Sequence, residues 1–560
     1  MKRTLLASLF IPLLGSLLLS GCSDSSDRPS GSGGQPPVET EGPNPAPANS
    51  GLADSVAPIA HVNSAQTDSV AHPGPAGPTE TLDEMSGGLS YQHLGPAHFG
   101  LAISPQYPDS SRVIWSNGGD RISKLDYETL EVIDELFLTD TPMSEAQADA
   151  EIELLDSKSG LELAQQSLDN AVKYLSAGIS GVYYLLSADN VLYVGGSESF
   201  LAYADVDPLD QRSGIELRDE WVRPAGIGGN FVTANMTHDG WICTVTDEGW
   251  VVLLKPDFSE YHSIQMVGSE IAPEHNQKML DEGRRPGSAS WVRNGPAIDE
   301  QGGIYIPSLE HMHKVIWDGA RLSTDPADGA WVAQYRNGSG IGTGATASLM
   351  GFGEEDRFVV STDGDEVMNM VLFWREEIPQ DWEQLEGAPD RRIAGQLRAD
   401  IGDDGAEAVQ TEQSVVVGGY GAFVVNNAPA SFPSPMFERF PAVLAGFAGR
   451  DPDFTPLGIQ KFEWDPQARE LREAWVNREI SSANSVPVIS TGSNLVYTVG
   501  ARDNQWTMEA IDWDTGDSAF HYVTGSNRYN TLFSGLFLDE EGRVLHTTIF
   551  GILRYERFPE

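Results

Sequence analysis

Short β-rich runs alternate with Asp/Gly turns along most of this chain. The stretch 294–317, NGPAIDEQGGIYIPSLEHMHKVIW, shows this clearly: NGPAID leads into the turn EQGG, IYIPS follows, and KVIW runs into Asp318-Gly319. Gly and Asp tolerate the positive φ of tight hairpins, so such runs are typical of consecutive antiparallel strands. The same order returns at 234–257 and at 534–556. A repeated unit that cannot bury both sheet faces alone predicts the radially stacked blades of an all-β propeller.

The propeller is predicted to span residues 89–560 with eight blades. Seven blades are the alternative, because the last unit can need an N-terminal strand to close the ring. The segment 143–176 breaks the strand pattern: Ser144 and Gln147 fit a capping box, which predicts a helical insertion between blades. Apolar residues recur there at helical spacing at Leu161, Ala164, Leu168, Val172 and Leu175.

The N-terminal region has the composition of a targeting segment followed by a tether. Residues 1–21 carry Lys2 and Arg3 before the apolar run LLASLFIPLLGSLLLS, a pattern typical of a secretory signal peptide. Residues 22–88 are rich in Pro, Gly, Ser and acidic residues and nearly lack aromatics, so they predict a disordered tether. His61 and His72 lie in this tether and are expected to be exposed to solvent.

The end of the signal peptide carries a second signal. Leu19-Ser20-Gly21-Cys22 resembles the lipobox of bacterial lipoproteins at all four positions, over the first 22 residues of the chain. The resemblance implies cleavage before Cys22 and its lipidation, with palmitate among the acyl chains, so that the lipid is the contact with the membrane. Ser23 follows in place of Asp, which by the sorting rule of such lipoproteins implies the outer membrane of a Gram-negative cell. An ordinary secreted protein with a chance cysteine is the alternative.

The charge excludes one class of partner. With 35 Lys and Arg against 82 Asp and Glu, the formal net charge is −47, which opposes nucleic-acid binding because that needs cations to displace counterions. The acidity indicates solubility, with calcium or a cationic ligand as the alternative. The only cysteine besides Cys22 is Cys243, in the run WICTV, where it is expected to be a buried small hydrophobe rather than half of a disulfide.

Propeller topology predicts where a site can form. In each blade, the loop before the innermost strand (the leading loop) and the loop joining the second and third strands open on one face, which we call the top face. Radial symmetry brings equivalent positions of different blades together around the axis, and binding groups commonly lie on such loops. The predicted ligand-binding residues of the central mouth are Asn294, Glu310, His311, His313, Asp363, Glu412, Asn484 and Asp503.

Two histidines in this set suggest a metal site. His311 and His313, at positions i and i+2 of an extended segment, point to one side and can share a zinc, iron or copper ion. A third ligand must come from another blade, and Glu412 or Asp363 is a candidate. The alternative is that one histidine packs against neighbouring loops while the other is solvated.

A second resemblance points to a harder cation. The stretch 294–308, NGPAIDEQGGIYIPS, resembles one blade segment of the gluconolactonase/paraoxonase-like propellers. It implies that Asn294 is a metal ligand, with Glu412 and Asn484 as analogues by position, and such oxygen ligands suit calcium. The alternative is that these amides satisfy backbone groups of the leading loops.

The sequence leaves two classes of function open. One is a monomeric binding or scaffold propeller that presents its polar face to a small molecule, glycan, peptide or envelope protein. The other is a metal-dependent hydrolase such as a lactonase or esterase, in which a cation polarises a carbonyl. A quinoprotein-like oxidoreductase is a third hypothesis. Against it, the tryptophans do not repeat in register from blade to blade, as they usually do in such propellers, and no CxxCH motif indicates haem. No residue is assigned a catalytic role.

Overall fold

The computed structural model describes residues 45–98, 100–175, 183–284, 287–353, 356–483 and 485–559. Within them the strands form eight separate sheets, in which strands that follow one another along the chain mostly pair side by side. This confirms an eight-bladed β-propeller. Middle strands such as Phe358–Thr362 are buried along their whole length, whereas the outer strand Glu470–Asn477 exposes half of its residues. The reason is that neighbouring blades cover both faces of a middle strand.

The first four blades follow in chain order, each given from its innermost strand outward. Blade 1 contains Gly100–Ile103, Val113–Asn117, Arg121–Asp126 and Val132–Phe137. Blade 2 contains Tyr184–Leu186, Leu192–Gly195, Ser199–Asp205 and Ile215–Val222. Blade 3 contains Asn235–Met236, Ile242–Val245, Trp250–Leu254 and Tyr261–Gln265. Blade 4 contains Ala297–Ile298, Gly303–Pro307 and His311–Trp317, and the last of these pairs with both Leu322–Ser323 and Trp331–Gln334.

The other four blades close the ring. Blade 5 contains Ser348–Met350, Phe358–Thr362, Asn369–Trp374 and Ile393–Arg398. Blade 6 contains Val416–Gly418, Gly421–Val425, Ile459–Asp465 and Glu470–Asn477. Blade 7 contains Val488–Ser490, Leu495–Arg502, Gln505–Asp512 and Ser518–Gly525. Blade 8 contains Phe537–Leu538, Val544–Thr547 and Gly551–Tyr555, and its outer strand is the N-terminal Leu89–His93. The N-terminal strand thus completes an eighth blade instead of reducing the number to seven.

The predicted helical insertion is a pair of helices. The first, α1 (Glu145–Asp156), begins after the predicted capping box, in which Gln147 Oε1 accepts from the Ser144 amide at 2.9 Å. The second is α2, Gly160–Leu175. Its buried face differs from the predicted stripe, because Leu161 and Val172 are exposed. The described residues also form α3 (Ala272–Asp281), α4 (Pro441–Ala448) and the 3₁₀ helices Ser269–Ile271, Pro326–Asp328, Phe437–Arg439 and Asn527–Tyr529.

Helix α4 covers part of the top face. Its apolar side chains join residues of α1, α2 and blade 8 in one buried cluster, which includes Leu163, Phe447 and Phe550. The Asn530 amide, in the leading loop of blade 8, donates to the α4 carbonyl of Gly446 at 2.6 Å. Less than one turn further on, at the C-cap of the helix, a Cβ placed on Gly449 would lie 3.0 Å from that of Ala483 in the leading loop of blade 7. Helix α4 therefore lies across the leading loops of blades 7 and 8.

The prediction that residues 22–88 form a disordered tether is wrong for residues 45–88, which are folded. Residues 57–70, which we call the plug segment, run inside the ring and accept hydrogen bonds from the amides of six innermost strands. These bonds are Ile103 N to Ala57 O, Leu186 N to Pro58 O, Ile298 N to Ser64 O, Leu349 N to Ala65 O, Val417 N to Thr67 O and Ile489 N to Asp68 O. Innermost strands have an edge without a neighbouring strand, and the carbonyls of the plug segment satisfy the amides of this edge.

The following part of the N-terminal segment runs along blade 7 from its innermost to its outermost strand. Ser69–Val70 pairs in parallel with the innermost strand of blade 7, and Glu80–Thr81 pairs in parallel with its outermost strand. His61 is buried and His72 is half-buried, so the expected exposure of both is also wrong. The predicted signal peptide and the predicted lipidation site at Cys22 lie outside the described residues.

Candidate functional site

A single guanidinium ties three leading loops together at the mouth of the top face. Arg293, before blade 4, pairs with Glu412, before blade 6, through Nη1 and Oε2 at 3.0 Å. The Arg293 Nε atom donates to the carbonyl of Thr343, before blade 5, at 3.0 Å. The Arg293 side chain is 8% exposed and that of Glu412 is 31% exposed. The guanidinium of Arg293 therefore holds the Glu412 carboxylate in place while that carboxylate remains partly exposed to solvent.

The amides beside this pair bind backbone atoms. The Asn294 side chain donates to the Thr343 carbonyl at 3.0 Å. Asn427, in the loop between the second and third strands of blade 6, accepts from the Glu412 amide at 2.8 Å and donates to the Ser482 carbonyl at 2.9 Å. The observed contact of Asn294 is thus the backbone contact foreseen as the alternative to metal ligation. Asn427 joins the leading loops of blades 6 and 7.

Below the mouth, the plug segment places His61 in the channel. His61 Nδ1 lies 3.0 Å from Asp68 Oδ2, and burial raises the pKa of Asp68 although His61 opposes the rise. The Tyr183 ring lies 5.7 Å from the His61 ring, and the Tyr183 hydroxyl is 3.0 Å from Thr346 Oγ1. Burial also raises the pKa of Tyr183. The floor of the mouth is therefore polar, buried and closed by the chain's own N-terminal segment.

The geometry at His61 favours anchoring over nucleophilic catalysis. Ser414 Oγ lies 3.1 Å from Nδ1 and 3.3 Å from Nε2 of His61. An oxygen nearly equidistant from both ring nitrogens lies off the lone-pair direction of each, whereas a Ser-His-Asp triad needs the hydroxyl in line with Nε2. His61 and Asp68 both adopt a positive φ, 62° and 52°. The hydrogen-bonding contact between their side chains fastens a tight turn of the plug segment.

The two candidate metal-binding histidines lie on one side of a blade 4 strand, with ring centroids 6.0 Å apart. His313 is buried, its Nε2 lies 2.9 Å from Ser308 Oγ, and burial lowers its pKa to about 3. His311 is half-buried, and burial lowers its pKa as well. Across the part of the chain that the structure describes, no group of three His, Cys, Asp or Glu side chains is placed to hold a metal ion. Glu310 is exposed beside them.

The remaining predicted residues do not join the mouth in the same way. Asp363 is buried in its own loop, where it accepts from the Asn369 amide at 2.8 Å, and burial raises the pKa of Asp363 to about 7. Asp503 is exposed at the tip of a blade 7 hairpin, with a φ of 49°. Asn484 lies outside the described residues.

The structure thus brings Asn294 and Glu412 together, and it does so through a residue that sequence reasoning missed. Arg293 directly precedes Asn294 in the same leading loop, but an argument built on carboxylates and amides gave no weight to an arginine. His61 and Asp68 were missed because they lie in a segment whose composition indicated disorder.

A cavity of about 360 Å³ lies on the opposite face, between hairpins of blades 1 and 2 at residues 105–108, 188–190 and 208–209. Its wall includes Tyr107, whose hydroxyl donates to Asp205 Oδ2 at 2.5 Å. Lys124 pairs with the same buried carboxylate. None of the predicted site residues lines this cavity.

None of the helices in the described ranges is both long enough and apolar enough to span a bilayer. No family model matches the sequence. Among solved structures, the quinohemoprotein alcohol dehydrogenase from Comamonas testosteroni is 11% identical, with a TM-score of 0.48 over 92% of this chain and 82% of that one. BamB from Moraxella catarrhalis is 10% identical, with a TM-score of 0.43 over 83% of this chain and 99% of that one.

A closer similarity is found in sequence. An uncharacterized protein from Archaeoglobus fulgidus is 31% identical over 535 residues, which cover 93% of this chain and 91% of the relative. The chain belongs to the same family as this uncharacterized archaeal protein.

Proposed function

We propose that the protein is a β-propeller of the cell envelope, held at the outer membrane of a Gram-negative cell by a lipid on Cys22, that binds a ligand or partner protein at the mouth of its top face. The lipobox at Leu19–Cys22 supports the anchor. The polar mouth between the leading loops of blades 4, 5 and 6 supports the binding role. The protein works as a monomer in this proposal.

The observation that carries the binding role is the fixed, solvent-facing carboxylate of Glu412. Arg293 holds this carboxylate at 3.0 Å, so little side-chain freedom is lost when a ligand binds it. The plug segment fills the channel beneath the mouth. A ligand at the mouth would therefore contact a rigid polar surface rather than an open pore. Amide, hydroxyl or cationic groups of a ligand could hydrogen-bond or pair with the carboxylate and amides of this surface. The net charge of −47 favours a partner that is not acidic.

The hydrolase alternative has less to support it. A metal-dependent lactonase or esterase needs a cation held by several oxygens or imidazoles. His311 and His313 come together without a third His, Cys, Asp or Glu in the described residues, and Asn294 contacts backbone. A redox role likewise has no observation in its favour.

Photo-crosslinking in cells tests the binding face. A photoreactive amino acid is placed at Glu310 or Asp503, both exposed on the top face, and, as a control, at Glu300, which is exposed in a turn of the opposite face. We expect specific crosslinked products from the two top positions only, and weaker products when Glu412→Ala is added. Equal products from Glu300, or products that Glu412→Ala leaves unchanged, would contradict the proposal.

The anchor has a separate test. We expect Cys22→Ser to remain unlipidated and to leave the membrane fraction for the soluble fraction, or to accumulate as the unprocessed precursor. Unchanged processing and unchanged partitioning would refute the anchor without affecting the fold or the mouth.

A further inference from the structure

The cavity on the face opposite the mouth has the size and the walls of a small-molecule site. Its volume of about 360 Å³ lies in the range of ligand pockets, which are mostly apolar with a few placed polar groups. Three prolines and a leucine line it, namely Pro105, Pro108, Pro208 and Leu209. Leu209 is 72% exposed. The apolar side chains around the cavity are therefore accessible for packing against a ligand.

A buried network holds part of the cavity wall in place. The lining residue Asn190 accepts from Trp115 Nε1 at 3.1 Å, and its Nδ2 donates to Asp205 Oδ2 at 3.0 Å. The Tyr107 hydroxyl, also in the wall, accepts from Asn190 Nδ2 at 2.7 Å. Lys124 pairs with the Asp205 carboxylate beneath them. The wall is therefore formed before a ligand arrives, and the side-chain polar atoms of Tyr107 and Asn190 are already bound within the protein.

One charged side chain remains available at the cavity. Among the described residues that line it, Asp189 alone is ionised at neutral pH, and Asp189 is exposed. Three basic residues close to these hairpins, Arg112, Lys124 and Arg212, each pair with a carboxylate other than that of Asp189. The Asp189 carboxylate is therefore free to pair with a cation from solution.

These walls and this charge select a class of ligand. Exposed carboxylates flank the lining residues in sequence, at Asp109, Asp207 and Asp210, and they repel an anion. A neutral apolar molecule would take water from Asp189 without replacing its contacts. Water alone, or an inorganic cation, would leave the apolar walls uncovered. A molecule with both a cationic group and a hydrocarbon body makes use of both features.

We infer that this cavity binds a small organic cation, an amine with a hydrocarbon body. The ammonium group pairs with Asp189, and the body packs on the prolines and Leu209. The site is distinct from the one in the proposed function. It lies on the opposite face, it is built by blades 1 and 2, and it uses neither Glu412 nor the lipid anchor.

Calorimetric titration with phenethylamine tests the site. Phenethyl alcohol replaces the charge with a neutral group, hydrocinnamate reverses it, and methylammonium keeps the charge but lacks the body. Asp189→Asn removes the carboxylate, and Asp140→Asn is its matched control at an exposed position of the top face. Leu209→Ser removes the apolar contact, and Leu138→Ser is its control, because Leu138 is 47% exposed on the top face. All four positions are exposed, so the ligand-free Tm should stay that of the wild type.

We expect phenethylamine to bind about three- to fivefold more tightly than phenethyl alcohol, as an exposed ion pair allows, and hydrocinnamate to bind more weakly still. Methylammonium should bind at least about tenfold more weakly than phenethylamine, because it buries no hydrocarbon body. Asp189→Asn and Leu209→Ser should each weaken phenethylamine binding about threefold. The two control variants should bind as the wild type does.

Absence of phenethylamine binding overturns the inference, as does equal affinity for phenethyl alcohol or in Asp189→Asn. Equal affinity for methylammonium, or unchanged binding in Leu209→Ser, would show a site for a simple cation only and would also overturn it. A control that loses as much affinity as its partner would show an effect of net charge or of surface composition. Glu412→Ala separates this site from the mouth: binding should be unchanged, and a loss there would place the probe at the mouth and refute the cavity.

Discussion

Truncating one plug side chain distinguishes a folded N-terminal segment from a tether. Ile59 is 0% exposed, bridges to Leu185 and packs in a core cluster with Tyr193 and Phe200. Truncating a buried isoleucine to alanine removes apolar contacts and leaves a cavity, which costs about 2–5 kcal/mol. We therefore expect Ile59→Ala to lower the free energy of unfolding by an amount in this range. In a solvated tether the same change would cost at most about 0.5 kcal/mol.

The assay is thermal and urea unfolding of purified protein. For a chain of roughly 500 folded residues the entropy of unfolding is on the order of 1 kcal/mol per kelvin, so Tm should fall by about 2–5 °C. The control is Ile271→Ala, because Ile271 is 57% exposed and loses the same atoms. If Ile59→Ala and Ile271→Ala melt together with the wild type, the plug segment does not contribute to the folded core, and its placement in the channel is refuted.

Three further changes probe charged groups. Glu412→Gln leaves Arg293 without its carboxylate, and because Glu412 is 31% exposed we expect a loss of about 1 kcal/mol, smaller at high salt, in urea unfolding. Burial raises the pKa of Asp363 to about 7, so its contribution to stability is present below the unfolded pKa of about 4 and is lost as pH rises through about 7. Asp363→Asn should flatten that part of the curve of unfolding free energy against pH. Lys124→Met leaves the buried carboxylate of Asp205 without its cation and should cost about 3–5 kcal/mol in the same unfolding assay.

Each of these variants has an exposed counterpart. Glu310→Gln, Asp503→Asn and Lys278→Met change the same chemical groups at solvent-exposed positions. We expect each to lie within about 0.5 kcal/mol of the wild type and to leave the pH dependence unchanged. A control as damaging as its partner would show that the effect comes from net charge and not from the contact.

The sequence predicted the ring because the information for it is local. The Asp/Gly turns and β-rich runs around Asp299 and Asp539 recur in blade after blade, and each hairpin forms from neighbouring residues. The capping box at Ser144 likewise placed the first inserted helix correctly. The buried stripe of the second helix was predicted only in part: Ala164 is buried and Leu168 packs against the apolar cluster, whereas Leu161 and Val172 are exposed. The buried face is set by contact with α4, which is distant in sequence.

The plug segment was missed for the opposite reason. Ala57, Ala60 and Ala65 bury little surface each and resemble linker residues in composition. Their place in the channel depends on backbone amides of six blades, which are tens to hundreds of residues away in the sequence. No local sequence pattern in a short, irregular segment reveals such distant partners.

The sequence predicted some of the residues of the candidate site but not their contacts. Symmetry put Asn294 and Glu412 at equivalent positions, and the structure places both around Arg293. Symmetry does not say which way a side chain turns. Asp363 accepts from the Asn369 backbone amide at 2.8 Å and so binds within its own blade. The loop conformation, rather than blade position, decided its contacts.

The leading loops at the open mouth and helix α4 are connected at one joint, the side chain of Asn427. Asn427 accepts from the Glu412 amide and donates to the carbonyls of Ser482 and Ala483, and Ala483 lies against the end of α4. A ligand that displaced α4 would disturb this joint, and so would a ligand that moved Glu412. Coupling between two sites is reciprocal in binding free energy. If binding at Glu412 shifts the position of α4, a shift of α4 must therefore change affinity at Glu412 by the same factor, and Asn427 provides a bonded connection between the two.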